Sequence, residues 1–420
     1  MTPPPAPAIL VVQAENMRVY LDSNATTAVD PSVLEAMVPF LTGDFGNASS
    51  IHSFGQRARG AVDEARSSVA ALIGAKPGEI VFTSGGTEAD NLAVFGAVAA
   101  SSRVSKHVIT TAIEHPAVLD ACAALESRGI AVTIVPLGSS GVVDPEEIRR
   151  ALRQDTVLIS VMHANNELGT IQPIEEIGRI AREAEVLFHT DAVQSAGKIR
   201  LDVDRLGADL LSLSAHKIYG PKGVGALYVR PGTPLEPQFH GGHHERDRRP
   251  GTENVPGIVG FGSAAQLARA RLGEDSARIA ALRSRFEAML LDAIPESRVN
   301  GLATGAARAE RSNGAPQEHR VANTSNILIP GVGGESLMIA LDLQGIACST
   351  GAACSSGAVE PSHVLLALGL SADEARSSLR FSLGRNTTAE EIDYAISVIP
   401  GAVERLRAIS PTPVVTAAAS

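Results

Sequence analysis

Short apolar runs alternate with amphipathic stretches along most of the chain, a pattern typical of alternating strands and helices. From residue 107 onward, the runs HVIT, AVTIVP and TVLISVM predict strands, and helices are predicted from about Pro116 and after Asp144. Nearer the N-terminus, Asp30-Pro31 predicts the start of a helix, and residues 53–73 form a long amphipathic stretch. The order of these elements predicts an α/β sheet.

Residues 209–229, DLLSLSAHKIYGPKGVGALYV, place one lysine between two β-prone apolar runs. A turn rich in glycine and proline follows Lys217, so we expect this lysine at the edge of a sheet. Burial there disfavours the charged form, lowers the pKa and leaves a neutral amine that can attack a carbonyl, such as the aldehyde of pyridoxal phosphate. The alternative interpretation is a solvated lysine on a surface turn.

A second turn, Ser84-Gly85-Gly86, joins the strand-like run Ile80 to Thr83 to a helical pattern that begins near Thr87. The two glycines allow backbone N–H groups to approach an anion at the positive end of the helix, which predicts a phosphate site. An ordinary strand-to-helix turn is the alternative. The spacing of a P-loop is absent.

Three polar loops follow predicted strands: Glu114-His115-Pro116, Asn165-Asn166-Glu167 and residues 189–194. Ligands of open α/β sheets bind outside the carboxyl ends of the strands, so we expect these loops to converge with Lys217. Asp191 follows an apolar run, where a carboxylate needs a partner such as a protonated pyridine nitrogen. A helix N-cap is the alternative for Asp191, and a hydrogen-bonded core histidine is the alternative for His115.

Composition narrows the class of protein. The 420 residues predict two or three domains, and a net charge of −10 without a long basic run argues against direct binding to nucleic acid. Three cysteines are too few for a disulfide framework, and neither a signal-peptide pattern nor a long apolar span is present. We therefore expect a cytoplasmic protein that does not enter a membrane.

Cys354 lies in a run of glycine, serine and alanine that cannot fill a core, so we expect an accessible, mobile cysteine. Cys348, six positions earlier, is interpreted as a small buried residue, with a regulatory disulfide as the alternative. Cys122 lies within a helical pattern and is predicted to be in the core.

Other segments carry weaker signals. Residues 1–17 begin with a proline-rich stretch and are predicted to be a mobile extension, and residues 301–320 are predicted to be a surface insertion. His240, His243 and His244 are candidates for a metal site, but metal binding is the less favoured interpretation. The charge run Glu245–Arg249 is predicted to be a solvated or interface loop.

The motifs, taken in order, resemble those of the NifS/IscS-type cysteine desulfurases, which belong to the class V branch of fold type I pyridoxal-phosphate enzymes. The resemblance extends from about Val19 to residue 411 and is somewhat closer to the nitrogen-fixation NifS type. It is carried by YLDSNATT, SGGTEADN, EHPAV, MHANNELGT, FHTDAVQSAGK, SAHKIYGPKGVGALYV, GGHHERDRRPGTEN and GAACSSGAVEPSHVLLALG.

The resemblance implies roles for named residues. Lys217 carries the cofactor as a Schiff base, and Cys354 takes sulfur from L-cysteine as a persulfide and leaves L-alanine. Asn166 and Arg380 bind the substrate, with the Arg380 fork on its carboxylate. The remaining contacts are to the cofactor: Asp191 at the ring nitrogen, His115 on the ring face, Gln194 at the ring hydroxyl, Asn166 near the ring, and Gly86, Thr87, Ser214, His216 and the second subunit's Thr252 at the phosphate.

The resemblance also implies an architecture and partners. A large α/β/α domain with a mostly parallel sheet is expected at 27–271, and a smaller α+β domain at 18–26 and 272–420. A homodimer is expected, together with an iron–sulfur scaffold or another sulfur-acceptor protein. No resident metal is expected, although Cys354 could contact an iron–sulfur cluster transiently. The alternatives are a catalytically quiet sulfur-transfer scaffold and, among enzymes, a selenocysteine lyase or β-elimination lyase.

Overall fold

The computed structural model describes residues 17–302, 319–351 and 360–409, and the backbone of two short strands between 302 and 319. The helices of these residues are α1 Pro31–Thr42, α2 Ser53–Leu72, α3 Gly86–Ala100, α4 Pro116–Glu126, α5 Pro145–Ala151, α6 Ile174–Glu183, α7 Val203–Leu206, α8 Val255–Ala293, α9 Gly334–Asp342, α10 His363–Ala367, α11 Ala372–Arg376 and α12 Ala389–Ile409. The strands are β1 Val19–Tyr20, β2 Ile80–Thr83, β3 His107–Thr111, β4 Ala131–Val135, β5 Thr156–Ser160, β6 Leu187–Asp191, β7 Leu210–Ser214, β8 Gly225–Val229, β9 Arg298–Val299, β10 Arg308–Glu310, β11 Pro316–Glu318, β12 Thr324–Leu328, β13 Ile346–Ala347 and β14 Ser378–Ser382.

The main sheet of the described residues has seven strands in the order β2-β8-β7-β6-β5-β3-β4. Strand β8 runs antiparallel to both neighbours, and the other six share one direction. Side chains alternate between two buried faces: Ile80 and Phe82 belong to a core with α2 and α8, whereas Val81 belongs to a core with α3 and α4. Both faces are covered, as expected for strands that read as continuous apolar runs. The predicted α/β/α layering with a mostly parallel sheet is confirmed.

A second core surrounds the antiparallel sheet β14-β12-β9. The 39-residue helix α8 connects the two cores: Phe261 lies in the first core, whereas Phe286 lies in the second. Val19 and Leu21 also pack in the second core, and β1 pairs in parallel with β13. The N-terminal strand is thus joined to the C-terminal part of the chain. The exact domain boundaries stay predictions.

The local start signals act as expected. Asp30 caps α1 by accepting a hydrogen bond from the Ser32 backbone N–H at 3.0 Å, and Pro31 occupies the first turn. Cys122 and Cys348 are both buried, in accord with their interpretation as core residues. Among the helices described, none combines the length and the apolar character needed to cross a membrane.

Two surface predictions need correction. Glu245 was expected in a solvated or interface loop, yet it is only 8% exposed and pairs with both terminal nitrogens of buried Arg66 at 2.7 Å. It also accepts the Phe82 backbone N–H at 2.9 Å, so its charge is satisfied inside the protein. Arg320, at the end of the predicted surface insertion, is 5% exposed and bonds to the Thr324 carbonyl and to Glu287.

Parts of other predictions fall on residues that the structure does not describe. These are most of the proposed N-terminal extension, residues 1–16, the side chains of 303–318, and Cys354 with its neighbours 352–359.

Candidate active site

Lys217 lies in a 3-10 turn, Ala215–Lys217, directly after β7. Its Nζ donates hydrogen bonds to the Asn24 carbonyl at 2.5 Å and to the Ala25 carbonyl at 2.6 Å. Burial, followed by the positive charge of Arg380, lowers the pKa of this lysine from 10.5 to about 8. The chain thus holds the amine in the environment that was predicted from the two flanking apolar runs.

A cavity of about 540 Å³ opens beside Lys217 at the carboxyl ends of the parallel strands. The loops after β3, β5 and β6 meet there, as the rule for ligand crevices in α/β sheets predicts. The predicted site residues that line the cavity are Gly86, Thr87, His115, Asn166, Asp191, Gln194, Ser214, His216, Lys217 and Arg380. These positions span almost 300 residues of sequence, and the fold brings them to one place.

Asp191 ends strand β6 and is 5% exposed. Its Oδ1 accepts the Val193 backbone N–H at 2.8 Å, within a turn and not at the start of an assigned helix, so the N-cap interpretation is wrong. Burial raises the pKa of this carboxyl. A cationic group placed in the cavity would reverse that effect and stabilise the anion.

His115 is exposed at the cavity, so the alternative of a hydrogen-bonded core histidine is wrong. It is the N-cap of α4, and its Nδ1 accepts the Ala117 backbone N–H at 3.1 Å, while the side chain also lines the cavity. Burial lowers its pKa, so the neutral ring is favoured. Because Nδ1 is an acceptor, the neutral ring carries its proton on Nε2.

The glycine turn before α3 lies at the cavity, where the predicted anion site was expected. The helix begins at Gly86 behind Gly85, which has no side chain to cap the exposed backbone N–H groups. Close packing fixes the turn, because a Cβ on Gly225 would lie 2.6 Å from the Gly85 carbonyl carbon. Ser214 and His216 line the same cavity, and burial lowers the pKa of His216 to about 4.

Arg380 lies on β14, on the side of the cavity formed by the second core. Its Nη2 donates to Asp22 Oδ1 at 2.8 Å, and its Nη1 donates to the Asn166 carbonyl at 3.2 Å. Its Nε is buried and has no hydrogen-bond partner among the described residues. The guanidinium group lines the cavity, so a carboxylate placed there would meet its positive charge.

Several residues around the cavity carried no sequence prediction. Asn24 lies in the DSNATT segment, and its backbone carbonyl accepts both Lys217 Nζ and Gln194 Nε2. Two further buried carboxyls lie nearby: burial raises the pKa of Glu114 to about 8 and that of Asp90 well above its usual range. The sequence signal for these carboxyls was their position beside site motifs, GGTEAD and EHP.

Two predicted residues stand apart from this cluster. Cys354 lies outside the described residues, but Gly351 and Glu360, which flank that segment, both line the cavity. Thr252 is exposed and is not part of the cavity lining, so its assignment to the site of a second subunit stays a prediction. For His240, His243 and His244, the described residues contain no group of potential ligands that could hold a metal ion.

The donor set fits a ligand with a carbonyl, a basic ring nitrogen and a phosphate. An easily deprotonated amine at Lys217, a buried carboxyl at Asp191 and the backbone N–H groups of the first turn of α3 supply one partner for each of these groups. A donor for a carboxylate, Arg380, faces the same space. The arrangement can therefore hold such a cofactor together with an amino acid.

Comparison with known proteins agrees with this donor set. Residues 19–395 match the class-V aminotransferase family. The cysteine desulfurase IscS of Dictyoglomus turgidum is 49% identical over 393 residues, which cover 94% of this chain and 96% of that protein. A solved NifS-like protein is 38% identical with a TM-score of 0.84, over 93% of this chain and 100% of the other.

A second solved structure, SspA in complex with cysteine, is 37% identical with a TM-score of 0.75, over 89% of this chain and 100% of the other. The closer likeness to the NifS type stays a prediction, because the matched names include both IscS and NifS-like proteins. The family implies pyridoxal phosphate as cofactor. The chain belongs to the class-V aminotransferase family and is a homologue of the IscS and NifS-like cysteine desulfurases.

Proposed function

We propose that the protein is a pyridoxal-phosphate-dependent cysteine desulfurase that converts L-cysteine to L-alanine and transfers the sulfur to Cys354. The observation that carries the proposal is the convergence of Lys217, Asp191 and Arg380 on one cavity that both flanks of the Cys354 segment also line. The names of the relatives and the cysteine complex of SspA support the reaction and the substrate.

The residues that would hold the cofactor form three groups. Lys217 would bind its aldehyde carbon, Asp191 would pair with its ring nitrogen, and Gln194 would bond its ring hydroxyl. His115 would lie on the ring face. The phosphate would be bound by the N-terminus of α3 with Gly86 and Thr87, by Ser214 and His216, and by Thr252 of a second subunit. When bound, the cofactor supplies an electron sink for the substrate carbon atoms.

The substrate groups have matching partners in the chain. The positive charge of Arg380 at the cavity is suited to the carboxylate of cysteine, and Asn166 is held beside it by the bond from Arg380 Nη1 to its carbonyl. Neutral His115 can donate a proton from Nε2 or accept one there after donation. Glu167, which accepts Ser362 Oγ at 2.6 Å, ties the segment after Cys354 to the cavity wall.

The proposed sulfur transfer is balanced without a further reactant. The Cβ–S bond of cysteine breaks and an S–S bond to Cys354 forms, so that the sulfur is held as a persulfide. The carbon skeleton gains the proton that completes alanine. A thiol reductant or an acceptor protein then removes the outer sulfur. An iron–sulfur scaffold is the acceptor we propose in the cell.

A homodimer is supported by an exposed apolar cluster within residues 45–54. Phe45, Ile51 and Phe54 are 70%, 90% and 41% exposed, and the rings of Phe45 and Phe54 lie 5.6 Å apart. Exposed aromatic clusters of this kind are typical of surfaces that another chain covers. A sedimentation mass of one 43.5 kDa chain would contradict the dimer.

The decisive experiment is anaerobic turnover of L-cysteine with excess thiol reductant, in which alanine and sulfide are quantified for the wild type and Cys354→Ala. We expect equal amounts of both products from the wild type and neither from the cofactor-loaded variant. Cys348→Ala, which removes a buried thiol six positions away, is the matched control and should retain turnover. Pyruvate and ammonia in place of alanine, or full activity in Cys354→Ala, would instead identify a lyase.

A further inference from the structure

Lys198 is a second lysine close to Lys217, and the proposed function gives it no role. Its Nζ donates hydrogen bonds to Gln194 Oε1 at 2.7 Å and to Asn24 Oδ1 at 2.9 Å. No ion pair within 4 Å is formed with any carboxylate of the described residues, and burial lowers the pKa of Lys198 well below its usual range. Burial of a lysine without a counter-ion costs free energy, so its presence here needs an explanation.

The two acceptors of Lys198 are both side-chain amides. An amide can rotate by half a turn with little change in shape, and the two orientations exchange its donor and acceptor ends. Lys198 donates one hydrogen to each amide, so the oxygen of each amide faces the lysine. The Asn24 oxygen also accepts Asn323 Nδ2 at 2.9 Å, whereas Lys198 is the donor to the Gln194 oxygen. The NH2 group of each amide therefore points away from Lys198 and donates its hydrogen bonds on that other side.

The NH2 groups of Gln194 and Asn24 contact the parts of the site proposed to hold the cofactor and the substrate. Gln194 Nε2 donates to the Asn24 carbonyl at 3.0 Å, and that same carbonyl accepts Lys217 Nζ. Asn24 Nδ2 donates to the Asn166 carbonyl at 2.9 Å, which also accepts Arg380 Nη1. One side-chain amide therefore lies between Lys198 and each of these two parts of the site.

We propose that Lys198 is a positioning residue that fixes the orientation of the Gln194 amide, so that Gln194 presents its remaining N–H donor to the ring hydroxyl of the cofactor. The proposal rests on the proposed function for the identity of that ligand. It assigns Lys198 no contact with the cofactor or the substrate. Its effect passes through Gln194, whose side-chain oxygen it holds.

The test is the affinity of the apoenzyme for pyridoxal phosphate, measured by absorbance titration of the full chain. Lys198→Met keeps the length of the side chain and removes its N–H donors, so we expect the Kd to rise about tenfold or more, equivalent to about 1.4 kcal/mol. Lys106→Met is the matched control, because Lys106 Nζ donates to the Val98 carbonyl at 2.8 Å and does not line the cavity. It should bind the cofactor as the wild type does.

A double-mutant cycle separates positioning from a general loss of stability. In a Gln194→Ala background, Lys198→Met should raise the Kd by less than about threefold, because the amide through which it acts is already gone. An equal loss in both backgrounds would overturn the proposal. If Lys198→Met does not fold, Lys198→Gln, which retains an N–H donor, replaces it, and its loss of affinity should likewise shrink in the Gln194→Ala background.

The outcomes also distinguish this inference from the function beneath it. A wild type that fails to bind pyridoxal phosphate would overturn the proposed function. A wild type that binds it, with Lys198→Met binding equally well, would overturn only the role of Lys198.

Discussion

The amine of Lys217 should be reactive at neutral pH before any cofactor is bound. A pKa lowered from 10.5 to about 8 makes loss of the proton easier than in an ordinary lysine by about 3 kcal/mol. At pH 7 about one molecule in ten then carries the neutral amine, against about one in 3,000 for an ordinary lysine. The fraction of the nucleophilic form rises by a factor of about 300.

Competitive acetylation of the apoenzyme measures this directly. Short pulses of acetic anhydride between pH 6 and pH 11, followed by peptide mass spectrometry, give the labelling of Lys217 relative to exposed Lys222 on the same turn. We expect the Lys217 rate to rise about tenfold per pH unit and to level off near pH 8. A rate that continues to rise through pH 10 would refute the argument from burial.

The effect of Arg380 on the pKa of Lys217 can be tested by the direction of its change in a variant. Its positive charge is the second cause of the lowered pKa, so Arg380→Met should move the midpoint of the Lys217 labelling curve to higher pH. Arg376→Met is the matched control, since that arginine is half-exposed and pairs with Asp373 on the surface. Equal midpoints in the two variants would mean that Arg380 has no electrostatic effect on Lys217.

Two further predictions concern the scaffold. Glu245→Gln leaves the buried Arg66 without a counter-ion and should lower the free energy of unfolding by about 3–5 kcal/mol in denaturant titrations. Glu147→Gln, at an exposed pair with Arg150, is the control and should change it by less than about 1 kcal/mol. Similar losses in the two variants would contradict the burial of the Arg66–Glu245 pair. Gly225→Ala places a methyl group 2.6 Å from the Gly85 carbonyl carbon and should weaken binding of pyridoxal phosphate about tenfold. Gly60→Ala in α2, with no atom within 4 Å of the new Cβ, should leave that affinity unchanged, and a Gly225→Ala variant with wild-type affinity would show that the turn does not hold the phosphate.

Much of the site could be predicted because its residues follow strands. His115, Asn166 and Asp191 each lie at or just after the end of a parallel strand, and the topology of such sheets brings those ends to one edge. Lys217 follows the same rule on β7. For these residues it was sufficient to predict the preceding strand correctly, because in this fold class the strand ends meet at one edge of the sheet.

The residues that were missed depend on contacts between distant segments. Lys198 bonds to Asn24 across 174 positions, and Arg66 pairs with Glu245 across 179. A lysine, a glutamate or an asparagine looks like a surface residue unless its partner is known, so the expected solvated loop at Glu245–Arg249 was wrong at Glu245. Pattern and spacing report neighbours along the chain and do not report such pairs.

The electrostatics of the cavity have a further consequence for folding. Burial disfavours the charged forms of Lys217 and Asp191, which raises the free energy of the folded apoprotein. A ligand that joins the amine covalently and brings a protonated ring nitrogen to the carboxylate relieves both costs at once. Since such a ligand binds only the folded chain, it should add its binding free energy to the stability of the folded state. The free-energy cost of burying the two charged groups in the apoprotein is relieved on binding and so adds to the affinity for the cofactor.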